Sequence, residues 1–225
     1  LRDGFLVDQI LDKAKQKGTG KWTSQNAMDL GIPVPTIDIA VSMRQISALK
    51  ELRQTADEDY DHPGPESEDS TTLIQLSEAA LYFSFIITYS QGLHQLREAS
   101  EEYGYELQLS TIAKIWRAGC IIRAGLLQDI SHAFSENADL EHLLLAPDMI
   151  PLIRETVPSV RTLLKKAIDN GVPMPGLSSA LVYFDAFTSG RLSLNLIQAQ
   201  RDYFGAHTYE RVDREGTFHT EWYKD

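Results

Sequence analysis

The sequence predicts an all-α, multi-helix domain with an extended C-terminal tail. Three observations predict it. Apolar residues recur at helical spacing along most of the chain, alternating β-branched runs are scarce, and a helix-stop signature of Gly followed by Pro-X-Pro occurs twice. With 225 residues, 43% of them apolar and 24% charged, the chain can bury a substantial core.

Helices are expected near residues 5–15, 24–30, 36–54, 73–103, 109–117, 120–135, 149–170, 176–189 and 193–204. The second stops at Gly31, and Pro33-Val-Pro35 opens the third. On a wheel of 36–54, Ile37, Ala40, Val41 and Ala48 share one face, with Arg44 in the middle of it. Thr55–Thr72 holds seven acids and no Lys or Arg, around His62-Pro-Gly-Pro65, and reads as a solvated loop. The longest apolar stretch, Leu81–Tyr89, is broken by Ser84 and Thr88 and is far short of the roughly 20 residues that cross a bilayer.

The seventh helix stops at Gly171, and Val172-Pro-Met-Pro175 repeats the earlier link. The segments Ala27–Pro35 and Ala167–Pro175 stand 140 positions apart and suggest two related helical halves. Gly205 is a candidate cap for the last helix. Beyond it, Tyr209, Phe218, Trp222 and Tyr223 lie in a tail too short for its own core, so they require a surface in this chain or a partner subunit. The expected division is 1–204 and 205–225.

The acids and bases give a net charge of −11, which repels phosphate backbones and argues against a nucleic-acid partner. Cys120 is the one cysteine, so no internal disulfide can form, which fits a reducing, cytoplasmic compartment. Its apolar neighbours read as packing around a thiol. Leu1-Arg-Asp-Gly-Phe5 has neither an initiator Met nor a signal-peptide pattern, as in a chain entered partway. The motifs of zinc sites, nucleophile elbows and dinucleotide-binding strand–turn–helix units are absent, so no metal is expected and no Rossmann unit is present in this chain. His94, His132 and His142 read as surface residues.

Three places can carry chemistry. Lys13-Ala-Lys-Gln-Lys-Gly-Thr-Gly-Lys21 concentrates four lysines, and its glycines let backbone approach a ligand. Thr23 or Ser24 can cap the helix that follows, whose N-terminus favours an anion. The segment reads either as a solvated basic turn or as a phosphate loop holding its ligand with Lys17 and Thr19. Arg44, if covered, needs an internal carboxylate or a bound anion. Arg201 shares a helical face with Leu194, Ile197 and Phe204, and His207 follows just past the helix end. Two such arginines beside a lysine loop suggest a phosphate or carboxylate clamp.

These segments resemble the C-terminal helical domain of the decarboxylating 6-phosphogluconate dehydrogenase family. The resemblance rests on Gln16-Lys-Gly-Thr-Gly-Lys-Trp-Thr23, Gly31-Ile-Pro-Val-Pro35, Trp116-Arg-Ala-Gly-Cys-Ile-Ile-Arg123 and Ser193–Glu210, in the family's order over nearly the whole chain. It implies a cytoplasmic enzyme of the pentose phosphate pathway and gluconate utilisation. Such an enzyme oxidises 6-phosphogluconate with NADP at the third carbon, releases CO2 and forms ribulose 5-phosphate. It implies that Lys17, Thr19 and Arg44 contact the substrate phosphate, and that Arg201 and His207 reach the other subunit's site in a homodimer. It also implies that the NADP domain, the general-base lysine and the general-acid glutamate lie upstream, so that this chain alone is inactive and supplies no catalytic residue. Two other readings stay open: a stand-alone helical binding module, and a related β-hydroxyacid dehydrogenase acting on an unphosphorylated acid.

Overall fold

The computed structural model describes residues 4–64 and 69–223. Nine α-helices and one two-stranded hairpin form among them. The helices are α1 (Thr19–Asp29), α2 (Pro35–Ala48), α3 (Lys50–Asp59), α4 (Ser70–Tyr103), α5 (Leu109–Trp116), α6 (Leu126–Glu136), α7 (Met149–Asp169), α8 (Pro175–Phe187) and α9 (Leu194–Gly205). The strands β1 (Tyr209–Glu210) and β2 (Thr217–Phe218) pair antiparallel. The chain divides into two compact units, Leu1–Tyr183 and Phe184–Asp225. The division falls inside α8, so α9 belongs with the tail, whereas the sequence placed the boundary after Phe204.

In the first unit α4 is the central element, and α7 packs along it. Phe83, Ile86, Ile87 and Leu93 of α4 are fully buried, each contributing about 1.5–3 kcal/mol. Averaged over its most apolar 18 residues, α4 has a mean hydropathy of 1.2 and is long enough to cross a membrane. Counting only unbroken apolar runs missed this. Gln91 on this helix is wholly buried and ties it to α2. Its Oε1 accepts from the Thr36 N–H at 3.0 Å, and its Nε2 donates to the Thr36 hydroxyl at 3.0 Å. The Ser179 hydroxyl donates to Thr36 Oγ1 at 3.2 Å, so the starts of α2 and α8 meet there.

The two echoing segments adopt one geometry. Gly31 and Gly171 take φ of 71° and 65°, values that favour glycine. Ile32 N–H donates to Ala27 O and Val172 N–H to Ala167 O, both at 2.8 Å. The matched Pro35 and Pro175 then open α2 and α8.

Four expected elements differ. The helix expected at 5–15 is a single 3-10 turn, Leu6–Gln9, because its apolar residues find nothing to cover them and a short isolated helix does not hold. The next helix begins five residues earlier than expected, at Thr19. The helix expected over 36–54 breaks at Leu49, where the Ser47 hydroxyl donates to Arg44 O at 2.7 Å and Arg53 Nη2 donates to Ser47 O at 3.2 Å. Arg117–Gly125 is a run of turns, and α6 starts only at Leu126. The acidic stretch begins inside α3, and its residues 65–68 lie outside those described.

His142 is buried, not at the surface. Leu144 N–H donates to its Nδ1 at 3.2 Å, so Nε2 carries the proton and donates to the Tyr183 hydroxyl at 2.9 Å. Half-buried His94 lies edge-on, ring centroids 5.2 Å apart. Burial, then the charge of His94, push His142 down to about 4.

Candidate functional site

Gly18, at φ 101°, starts α1 with no side-chain cap, so neither Thr23 nor Ser24 serves as one. Thr23 instead sits within the first turns and donates to Thr19 O at 2.9 Å. The N–H groups of Thr19, Gly20 and Lys21 precede the first intrahelical bond, Trp22 N–H to Gly18 O. They form an open helix N-terminus suited to an anion.

Arg44 comes to this end of α1 because Gly20 lets the two helices touch. A Cβ on Gly20 would stand 3.0 Å from Val41 Cγ2 and 3.9 Å from Arg44 Nη1. Arg44 is exposed, not sunk in the apolar stripe. The stripe is real only at Val41, and Arg44 emerges beside it. The internal carboxylate that a buried arginine would need is not there: among the described residues no ion pair forms with Arg44, Lys15, Lys17 or Lys21. Lys13 differs from its neighbours, since it pairs with Glu51 at 3.0 Å and lowers the Glu51 pKa. The structure therefore brings Arg44, Thr19 and the glycines together at one helix end and leaves Lys17 on the segment leading into it.

Along the same face of α2, two turns before Arg44, Ile37 borders a 390 Å³ cavity with Phe85, Tyr89, Trp116, Ile121 and Ile122. The Tyr89 hydroxyl donates to Ile122 O, fixing the turn that carries half-buried Cys120.

The second unit holds Arg201 and His207. Arg201 is exposed and only loosely engaged, its Nη1 donating to Gln198 Oε1 at 3.4 Å. Its stripe companions Leu194, Ile197 and Phe204 are exposed too, at 62%, 50% and 80%. Gly205 is the last helical residue, and the left-handed cap is Ala206 at φ 52°. The glycine is needed for another reason: a Cβ there would meet the His207 ring at 2.9 Å.

The residue that organises this unit, Asp202, went unnoticed in the sequence. Its carboxylate is 1% exposed and accepts from Thr208 N–H at 2.9 Å, His219 Nδ1 at 2.8 Å, Thr220 N–H at 3.0 Å and Trp222 Nε1 at 2.9 Å. Burial opposes its ionisation, and these donors outweigh burial, holding it down to about 2. An acid in the last turn of a helix opposes the helix dipole, and that was the available signal. Tyr203 packs against Trp222 and Tyr223, and Tyr209 against Phe218. The tail thus folds back on α9 and still leaves Phe204, Val212 and Tyr223 exposed.

The family model described as the 6-phosphogluconate dehydrogenase C-terminal domain matches residues 2–222. The decarboxylating 6-phosphogluconate dehydrogenase of Lactococcus lactis subsp. lactis (strain IL1403) is 49% identical over 224 residues, covering 99% of this chain and 48% of that protein. The NADP(+)-dependent decarboxylating enzyme of Bacillus subtilis (strain 168) is 50% identical over 221 residues, covering 97% and 47%. Among solved structures, Plasmodium falciparum 6-phosphogluconate dehydrogenase, studied with its cofactor NADP+ and its substrate 6-phosphogluconate, superposes with a TM-score of 0.92. It shares 45% identity, covering 97% of this chain and 48% of that one. The chain spans about half the length of the curated relatives it matches.

Proposed function

The chain belongs to the family of the 6-phosphogluconate dehydrogenase C-terminal domain, and on that premise we propose that it is the substrate-binding and dimerisation half of an NADP-dependent oxidative decarboxylase. The reaction takes 6-phosphogluconate to ribulose 5-phosphate and CO2, within the pentose phosphate pathway and gluconate utilisation. The observation that carries this reading is the Arg44 guanidinium, without an ion pair among the described residues, over Gly20 at the uncapped start of α1. A phosphate dianion there gains the α1 amides, the Thr19 hydroxyl, the Lys17 ammonium and a bidentate guanidinium, and each is a stronger partner for phosphate than for a neutral hydroxyl.

Arg201 and His207 complete the site of the partner subunit in a homodimer. The exposed apolar face of α9 beside Arg201 supports this, since a stripe of that size in a helix end seeks cover. The NADP site and the proton-transferring groups are assigned to the remainder of the protein, a reading supported by the chain's span of about half the length of its relatives. Alone, the chain binds and does not turn over. A single cysteine with no disulfide supports a cytoplasmic location.

A substrate panel tests the reading. The product of the reading frame that encodes this chain should reduce NADP with 6-phosphogluconate and far more slowly with gluconate or short 3-hydroxy acids. Equal kcat/KM with and without phosphate would point to the unphosphorylated-acid reading instead.

A further inference from the structure

Residues 10–18 carry Lys17 into the site without helix or strand. Nothing in such a segment fixes where its lysine stands, so something else must. We propose that Asp12 and Arg53 are positioning residues for the phosphate cradle, locking the Lys17 segment onto the C-terminal end of α2, the helix that carries Arg44. The proposal rests on the reading of the Arg44 site as a phosphate site.

The lock is a connected set of bonds. Arg53 Nη2 faces three oxygens: Asp12 Oδ2 at 2.9 Å, Asp12 O at 3.4 Å and Ser47 O at 3.2 Å. Lys50 Nζ reaches Asp12 Oδ1 at 2.9 Å from the other side. One step along, Ala14 N–H donates to Ser47 Oγ at 2.9 Å, and that same hydroxyl donates to Arg44 O at 2.7 Å. Lys13 pairs with Glu51 at 3.0 Å. Asp12, Lys13 and Ala14 are thus each bonded to the α2–α3 junction, and Ser47 joins the segment to the backbone of Arg44 itself.

Lys17 lies three residues past Ala14. Fully extended chain advances at most about 3.6 Å per residue, so this anchor keeps the Lys17 backbone within roughly 11 Å of Ala14, which Ser47 holds. A single exposed ion pair would do little. Here five bonds join two short backbone segments, and removing one loosens the others. Hydrogen bonds from Lys50 and Arg53 hold Asp12 down to about 2, so the lock stays charged at any working pH.

The test uses the full product of the reading frame, with Asp12→Asn, Arg53→Met, Ser47→Ala and the Asp12→Asn/Arg53→Met double variant. Each single variant should raise KM for 6-phosphogluconate by about tenfold, with kcat and the KM for NADP within about twofold. The kcat/KM for unphosphorylated gluconate should hold, and the double variant should be no worse than the weaker single one. Limited tryptic cleavage after Lys15 and Lys17, read by mass spectrometry, should speed up in each. Unchanged KM for 6-phosphogluconate, or equal losses on both substrates, would overturn the lock. So would unchanged tryptic cleavage, which reads the lock even in a wild-type protein that lacks 6-phosphogluconate activity. That lack of activity would refute the phosphate reading instead.

Discussion

Arg44 is the residue on which the proposed site most depends, and it stands at the surface rather than in the core. Helical periodicity placed it among Ile37, Val41 and Ala48 and so marked it as special. The wheel could not say what covers the stripe, and Arg44 in fact emerges over Gly20 into solvent. An exposed guanidinium carries no burial penalty, so its loss should read purely as lost phosphate contacts. Arg44→Ala should weaken 6-phosphogluconate binding by about 2 kcal/mol, the range of charge-assisted hydrogen bonds. Isothermal titration of the full product would measure it, and unchanged affinity would remove Arg44 from the cradle. Asp202 shows the opposite failure of sequence reading. Its role is set by donors at positions 208, 219, 220 and 222, a convergence that only the folded tail creates.

At the level of elements, spacing gave most of the helices, and the misses have two causes. The 5–15 pattern lacks anything to cover its apolar residues, whereas the 36–54 and 120–135 expectations each ran a periodic pattern through a place where side chains rather than the backbone decide. Arg53 and Ser47 end α2, and Tyr89 holds the turn at Ile122. The polar sequence neighbours of His142 point to a surface residue, yet α4 and α8 close over it. That contact makes a pH prediction. His142 titrates near 6.5 unfolded and about 4 folded, so between these values the unfolded chain binds the extra proton. Stability from this site is complete above pH 6.5 and falls as pH drops toward 4. A second proton, on Nδ1, would also oppose the Leu144 N–H. Thermal melts from pH 7 to 4 should show a falling midpoint that flattens in His142→Gln; an equal slope in the variant would locate the titration elsewhere.

Across the whole molecule, the all-helical class and the paired Gly–Pro-X-Pro stops were legible, because each depends on residues close in sequence. The division after Tyr183 was not, since it reflects which helices share a core. The exposed apolar face of α9 is the surface on which the proposed homodimer rests. Deleting residues from Ala206 onward should weaken that proposed dimer, seen as a shift toward monomer in sedimentation velocity. Subunits with Arg201→Ala mixed with subunits carrying Arg44→Ala should recover activity if each site draws on both chains. No recovery would leave each subunit to its own site.

The most direct measurement is NADPH appearance with 6-phosphogluconate and NADP, comparing this 225-residue chain with the full product of its reading frame. Turnover by the full product and none by the folded chain is the expected result. A folded full product that forms no NADPH would contradict the assignment and leave a helical anion-binding module.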